Sequence, residues 1–311
     1  MNIGDNMKIL CVGHAAYDIT IPLDEFPIEN TKNRVSNRVE CGGGPASNAA
    51  YLLGKWGLDV TFLGVVGNDE YGKRIIKEFN DVDVNTKYML VSDKHTTTSS
   101  FIISNRSNGS RTILTYRPDS MVMPKVELDF EPDIILMDGQ EYELSKELMI
   151  KYPNAITIMD AGRLTGEILL LAKMSKYVIS SHEFAEDLTE VKIDYDKPDT
   201  LIKLYQKMEE EFGGKVIVTL ESHGSLYKEG NLIKIMPSIK VKAVDSTGAG
   251  DIYHGAFTYG IARKMNYENI IRMSNVAGAI SVTRIGGRYS VPTIDEMKEY
   301  IDDFEWGYFH W

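Results

Sequence analysis

Lys8 to Gly13 reads KILCVG, Val60 to Gly67 reads VTFLGVVG, and between them Pro45 to Trp56 reads PASNAAYLLGKW. The two outer runs are short, continuously apolar and closed by glycine, the pattern of strands buried on both faces. The middle run has Pro45 in its first turn, Ala49, Leu52, Leu53 and Trp56 along one face, and Gly57 as a stop, which reads as a helix. Strand, helix, strand begins a parallel sheet. The order recurs at Asp133 to Met137 (DIILM), Ala155 to Met159 (AITIM), Tyr177 to Ile179 and Lys215 to Leu220 (KVIVTL), separated by helical patterns such as Thr200 to Phe212. The expectation is a single α/β domain over residues 1–311, with a doubly wound, mostly parallel sheet flanked by helices and no repeat or linker to divide it.

Two segments depart from that alternation. Ile19 to Val39 reads as extended and polar, and His95 to Tyr116 (HTTTSSFIISNRSNGSRTILTY) alternates on both sides of Ser107-Asn108-Gly109-Ser110, a hairpin turn. Strands inserted without a helix to cover them form a small separate sheet. A lid over a cleft is the functional reading, and a surface hairpin the structural one.

Of the 311 residues, 43% are hydrophobic and 25% charged, which excludes a disordered chain; 26 Gly and 10 Pro exclude a collagen-like one. With 34 Lys+Arg against 45 Asp+Glu, the net charge of −11 argues against nucleic acid as a partner, since backbone binding rests on a positive field. Cys11 and Cys41 are too few for a disulfide framework and read as reduced thiols. Met1 to Met7 lacks the features of a secretory signal, and its first six residues read as a loose leader. No 18-residue apolar stretch occurs, so a cytoplasmic protein with no membrane partner is expected. His14, His182, His223 and His254 lack metal-site spacing. The aromatic tail Phe304 to Trp311 (FEWGYFHW) reads as a cap on apolar surface or a subunit contact.

The chemistry concentrates in two stretches. Val244 to Asp251 reads VDSTGAGD and leads into a helical pattern, Ile252 to Lys264. Gly248, Ala249 and Gly250 are small enough for their N–H groups to converge at a helix N-terminus, where the dipole favours an anion. Asp251 closes that run, placed either to take a proton from an attacking hydroxyl or to cap the helix. Cys41 to Asn48 reads CGGGPASN: three glycines permit close backbone approach, and Asn48 can both donate to and accept from a hydroxyl. Asp18, after the first strand, is expected at the carboxyl edge of the sheet, where ligands bind α/β folds.

These two stretches resemble the paired motifs of the PfkB, or ribokinase-like, carbohydrate kinases. Gly43, Gly44, Ala46, Asn48, Ala50, Gly57 and Gly67 fall at the spacing of the first, Asp245 to Thr258 (DSTGAGDIYHGAFT) fits the second, and Gly67 to Gly72 (GNDEYG) resembles the family's G-x-D-x-x-G turn. The resemblance runs from the first strand to Ser290-Val291-Pro292. It implies transfer of the γ-phosphoryl group of ATP, with Mg²⁺, to a hydroxyl of a small sugar, with Asp251 as base and Gly248, Ala249 and Gly250 as the anion hole. It assigns Asp18, Gly43 and Asn48 to the sugar, and Thr219, Gly224, Asn275 and Thr247 to the nucleotide side. Asp245, Thr247, Ser281, Arg284, Gly286 and Ser290 match a potassium-like site. The inserted strands match the family lid, which implies a homodimer, possible through that lid.

Four departures accompany it. Ser180 or Ser181 stands where an Asn-x-x-Glu motif begins, leaving Glu183 as the nearest acid to organise magnesium. Ala16 stands where ribokinases place Asn, Glu221 replaces the first Gly of T-x-G-x-x-G, and Gln140, after the strand Asp133 to Met137, is a candidate to line the sugar pocket where some relatives carry an acid. Tyr116-Arg117 and Asp160-Ala161-Gly162-Arg163 resemble features of fructokinases and 2-keto-3-deoxygluconate kinases, so Arg117 or Arg163 is a candidate partner for an acidic substrate. A nucleoside kinase and a non-catalytic sugar or nucleotide sensor are the alternative readings.

Overall fold

The computed structural model describes residues 7–301. Six apolar runs align as parallel strands: β1 (Ile9–Val12), β4 (Val60–Leu63), β9 (Ile134–Met137), β10 (Ile156–Ala161), β11 (Tyr177–Ser181) and β12 (Lys215–Thr219). Two antiparallel strands, β13 (Ser225–Glu229) and β14 (Leu232–Met236), extend one edge, giving the order β14-β13-β12-β11-β10-β9-β1-β4. Ile9 pairs with Val60 on one side and with Ile134 on the other, so the direction of winding reverses at β1. The carboxyl ends of β1 and β9 therefore flank a topological switch point, the usual ligand crevice of such sheets.

Each central strand is apolar throughout because its residues alternate between two cores. Ile9, Cys11, Phe62, Leu136, Ile158, Ile179 and Ile217 point to one. There they meet helices α1 (Pro45–Lys55), α2 (Glu70–Asn80), α7 (Ala249–Ala262), α8 (Tyr267–Ser281) and α9 (Ile294–Tyr300). Leu10, Val12, Met137, Met159, Val178 and Val216 point to the other, against α3 (Tyr142–Lys151), α4 (Gly166–Met174), α5 (His182–Thr189) and α6 (Pro198–Glu211).

A second sheet, in the order β3-β2-β7-β8, stands beside the first and comprises β2 (Ala16–Leu23), β3 (Val39–Gly43), β7 (Ser99–Asn105) and β8 (Arg111–Tyr116). The expected insertion starts earlier than Ile19, and residues 24–38 are exposed and irregular rather than extended throughout. VTFLGVVG is not one strand. It breaks at Gly64, whose carbonyl accepts from Leu90 N–H, and β5 (Val65–Gly67) leaves to pair with β6 (Leu90–Ser92) in a two-stranded ribbon. Cys11 and Cys41 are buried free thiols, and no described helix is long and apolar enough to cross a membrane. The leader Met1–Asn6 and the aromatic tail lie outside the described residues.

Candidate active site

Over the switch point, the Asp138 carboxylate holds three loops together. Its Oδ2 accepts from His14 N–H (2.8 Å) and Ala46 N–H (3.2 Å), and its Oδ1 from Gln140 N–H (3.0 Å). It thereby joins the loop after β1, the start of α1 and the turn after β9. Sequence reading passed over Asp138, although it follows the apolar run DIILM directly.

Asp18 lies within β2, opposite Cys41 in the register with β3, rather than in a loop after β1. The second sheet, not the main sheet, therefore carries this carboxylate. Gly43 makes the placement possible: a Cβ there would fall 2.0 Å from Asp18 Oδ2. Burial pushes the Asp18 carboxyl up to about 7, with the Ser100 hydrogen bond and Arg288 opposing and the charges of Asp251 and Asp245 adding.

The glycine run of VDSTGAGD caps α7 through its backbone. Gly248 is the cap residue, at a φ of 78° that favours glycine, and Asp251 stands in the first turn rather than at the cap. Asn48, buried in the first turn of α1, donates from Nδ2 to Asp251 Oδ2 at 2.7 Å, while its Oδ1 has no partner among the described residues. Burial raises the Asp251 carboxyl, opposed by the Asn48 hydrogen bond and the charges of His254 and Arg111. The β7–β8 hairpin reaches the same loop: Ser246 N–H donates to Gly109 O (3.0 Å), and Arg111 donates to Ser246 Oγ (2.6 Å).

The remaining candidates divide by place. Arg117 donates to Glu141 Oε1 (3.0 Å) and Met121 O (2.7 Å) and lies 2.8 Å from His14 Nδ1, so a carboxylate of the protein already occupies its guanidinium. Burial, with Arg117 adding, pushes His14 down to about 4. Gln140 is exposed at the rim; Arg163 is exposed after β10, with no hydrogen bond or ion pair among the described residues.

On the other side of α7, Thr219 Oγ1 donates to Ser180 O (3.1 Å) and Asn275 Nδ2 to Met236 O (2.9 Å). Asn275 Oδ1 accepts from Ser225 Oγ (2.7 Å), so its amide is engaged in holding the β13–β14 hairpin. Glu221, which stands where glycine was expected, keeps a φ of 51°. Gly224 has a φ of 98°. Ser181 caps α5 by accepting from Phe184 N–H (3.0 Å), a task that needs only a hydroxyl where the family motif has Asn. Glu183 is exposed, and the fold brings it, His182 and Glu221 within 4.8 Å of one another, a grouping that sequence spacing does not reveal.

Asp245 is buried, with Oδ1 accepting from Thr247 N–H (3.0 Å) and Oγ1 (2.6 Å) and Oδ2 from Gly286 N–H (3.0 Å). Ser281 and Ser290 donate their hydroxyls to Gly278 O and Gly287 O, and Arg284 turns its side chain to Glu296.

The two glycine-rich stretches thus meet through Asn48 and Asp251, in the first turns of α1 and α7. Residues 6–294 match the family described as pfkB family carbohydrate kinase. The chain belongs to the pfkB family of carbohydrate kinases. It is 22% identical to the ribokinase of Lactococcus lactis subsp. lactis over 308 residues, covering 96% of this chain and 98% of that one. It is 25% identical to the nucleoside kinase of Methanocaldococcus jannaschii over 312 residues, covering 96% and 98%. The structure of Arabidopsis thaliana ribokinase complexed with ribose and ATP shares the fold, with a TM-score of 0.78 at 20% identity over 96% of this chain and 99% of that one. As a pfkB carbohydrate kinase, the protein is a phosphotransferase with an alcohol acceptor.

Proposed function

We propose that this pfkB kinase transfers the γ-phosphoryl group of ATP to a hydroxyl of a small neutral sugar, with Asp251 as general base. The observation that carries the reading is Asn48: its Nδ2 fixes Asp251 Oδ2, and its buried Oδ1, without a partner among the described residues, can accept from a substrate hydroxyl beside the base. Asp18, drawn in over Gly43, is a second acceptor for sugar hydroxyls. The N–H groups following Gly248 and the positive end of the α7 dipole face the incoming phosphoryl group. A neutral acceptor is favoured because Arg117 is already paired and Arg163 stands exposed, which leaves the acid-lined cleft without a free cation placed for a substrate carboxylate among the described residues.

Mg²⁺ bound with ATP neutralises phosphate charge; Glu183, beside His182 and Glu221, is the acid closest to that role in this chain. The loops of Asp245, Thr247 and Gly286 suit a potassium-like ion. Asp245 is a buried carboxylate held only by N–H and O–H donors, and no basic side chain pairs with it among the described residues. Thr219, Gly224 and Asn275 then form the wall on which the nucleotide lies. Exposed Phe101, Ile113, Leu114 and Tyr116 on the lid support a homodimer through that sheet, which light scattering on the purified protein checks. A cytoplasmic location accords with the use of ATP.

The test is formation of ADP with Mg²⁺ and K⁺ across D-ribose, 2-deoxy-D-ribose, D-fructose, 2-keto-3-deoxygluconate, adenosine and inosine. Selective turnover of a neutral sugar supports the reading; turnover confined to the acid or the nucleosides replaces it.

A further inference from the structure

His254 lies one helical turn beyond Asp251 on α7 and is 4% exposed. Its Nδ1 lies 2.6 Å from Gly250 O and 3.3 Å from Asp160 Oδ2, and its Nε2 lies 3.2 Å from Ile179 O. Both ring nitrogens thus face acceptors, and only the doubly protonated ring donates to both. Asp160, 8% exposed at the end of β10, has no other side chain of opposite charge against it among the described residues. The ring therefore joins the first turn of α7, which carries the anion nest and the base, to the carboxyl ends of β10 and β11.

We propose that His254 and Asp160 form a buried ion pair that positions the first turn of α7 and keeps Asp251 ionised in a cleft crowded with acids. The proposal rests on the reading of Asp251 as the general base. The groups facing Asp251 are Asp18 from β2, Arg111 from β8, Asp160 from β10 and His254 from its own helix, with neutral Asn48 from α1. Asp18 and Asp160 are acids whose negative charge opposes ionisation of a third carboxylate, and positive charge on Arg111 and, in the proposed pair, on His254 favours it. Burial pushes Asp160 up to about 7, with the charge of His254 opposing and those of Asp251 and Asp138 adding. Without His254, Asp160 becomes an unpaired acid next to the base. His254 is a positioning residue, since it touches Gly250 and the sheet rather than the reacting atoms.

The sign is fixed by electrostatics. Loss of the cation disfavours ionised Asp251, so the acidic limb of the kcat/KM profile moves to higher pH. The experiment compares wild type, His254→Asn, His254→Gln, Asp160→Asn and the double variant H254N/D160N, using ATP and the sugar with the highest turnover in the panel above. Folding is checked by circular dichroism melting. His254→Asn is expected to move the acidic limb up by about one pH unit with a small change in sugar KM. H254N/D160N is expected to bring the limb back toward wild type, because the unpaired acid has gone. A folded His254→Asn protein with an unmoved limb, or a double variant no better than the single, overturns the pair. Near-normal activity of Asp251→Asn, measured beside them, overturns instead the reading of Asp251 on which the proposal rests.

Discussion

Asn48 and Asp251 are 203 positions apart in the chain, and the 2.7 Å hydrogen bond between them joins the first turn of α1 to the first turn of α7. The two glycine-rich motifs of the sequence therefore form one site. Each helix brings its N-terminus and its small residues, and the side chains that meet are a carboxylate and an amide whose oxygen has no partner among the described residues.

Asp251→Asn keeps the shape of the side chain and the contact with Asn48 but cannot take a proton. Sugar phosphorylation is expected to fall by about a hundredfold or more, the scale of a general base. ATP affinity, measured by calorimetry, is expected to stay within a few-fold of wild type. Activity near wild type would falsify the role given to Asp251.

Asn48→Ala removes a hydrogen bond to a charged group, worth about 1.5–3 kcal/mol. The expected loss in kcat/KM is roughly tenfold to a hundredfold, shared between a higher sugar KM and a lower kcat if Asn48 serves both substrate and base as proposed. A change confined to ATP KM contradicts the geometry.

Gly43→Ala places a methyl group 2.0 Å from Asp18 Oδ2. Either Asp18 swings away or β3 separates from β2, and overpacking of this kind costs about 1–3 kcal/mol. Thermal melting is expected to show that loss together with a raised sugar KM. An unchanged sugar KM means that Asp18 does not hold the sugar.

Asp18→Asn bears on pH. The folded-state value of about 7 lies above the 3.8 of the unfolded chain, so the folded protein binds more protons between those values. This group therefore lowers stability progressively as pH rises through that window, and the penalty is complete above about 7. The variant is expected to gain more in melting temperature, relative to wild type, at pH 8 than at pH 5. An equal change at both pH values contradicts a raised Asp18.

Arg111→Ala cuts the side-chain link from the β7–β8 hairpin to Ser246 while leaving the backbone bond from Ser246 to Gly109. Arg111 is exposed, so the cost in stability is expected to stay below about 1 kcal/mol. Hydrogen exchange is expected to quicken in residues 105–111, with turnover reduced. Unchanged exchange in that hairpin means that the backbone bond alone holds it.

The strands were readable because residues such as Ile9, Leu10, Cys11 and Val12 alternate between two cores, which demands apolar side chains without a break. The helix starts were readable because Pro45 and the run at Gly248 are local capping chemistry. The break at Gly64 was not, since both halves of VTFLGVVG are equally apolar and only the partner, β1 for one half and β6 for the other, separates them.

The sequence by itself determined the alternation of buried strands and helices, and the two stretches that bear the nest, the amide and the acid, because each depends on neighbours a few residues away. Only the tertiary structure decided that Asp18 lies on the second sheet, that Asp138 ties three loops, that Arg117 is already paired with Glu141 and that His254 reaches Asp160. Those facts belong to contacts between residues far apart in the chain, whose partners and charges become defined when burial removes the water between them.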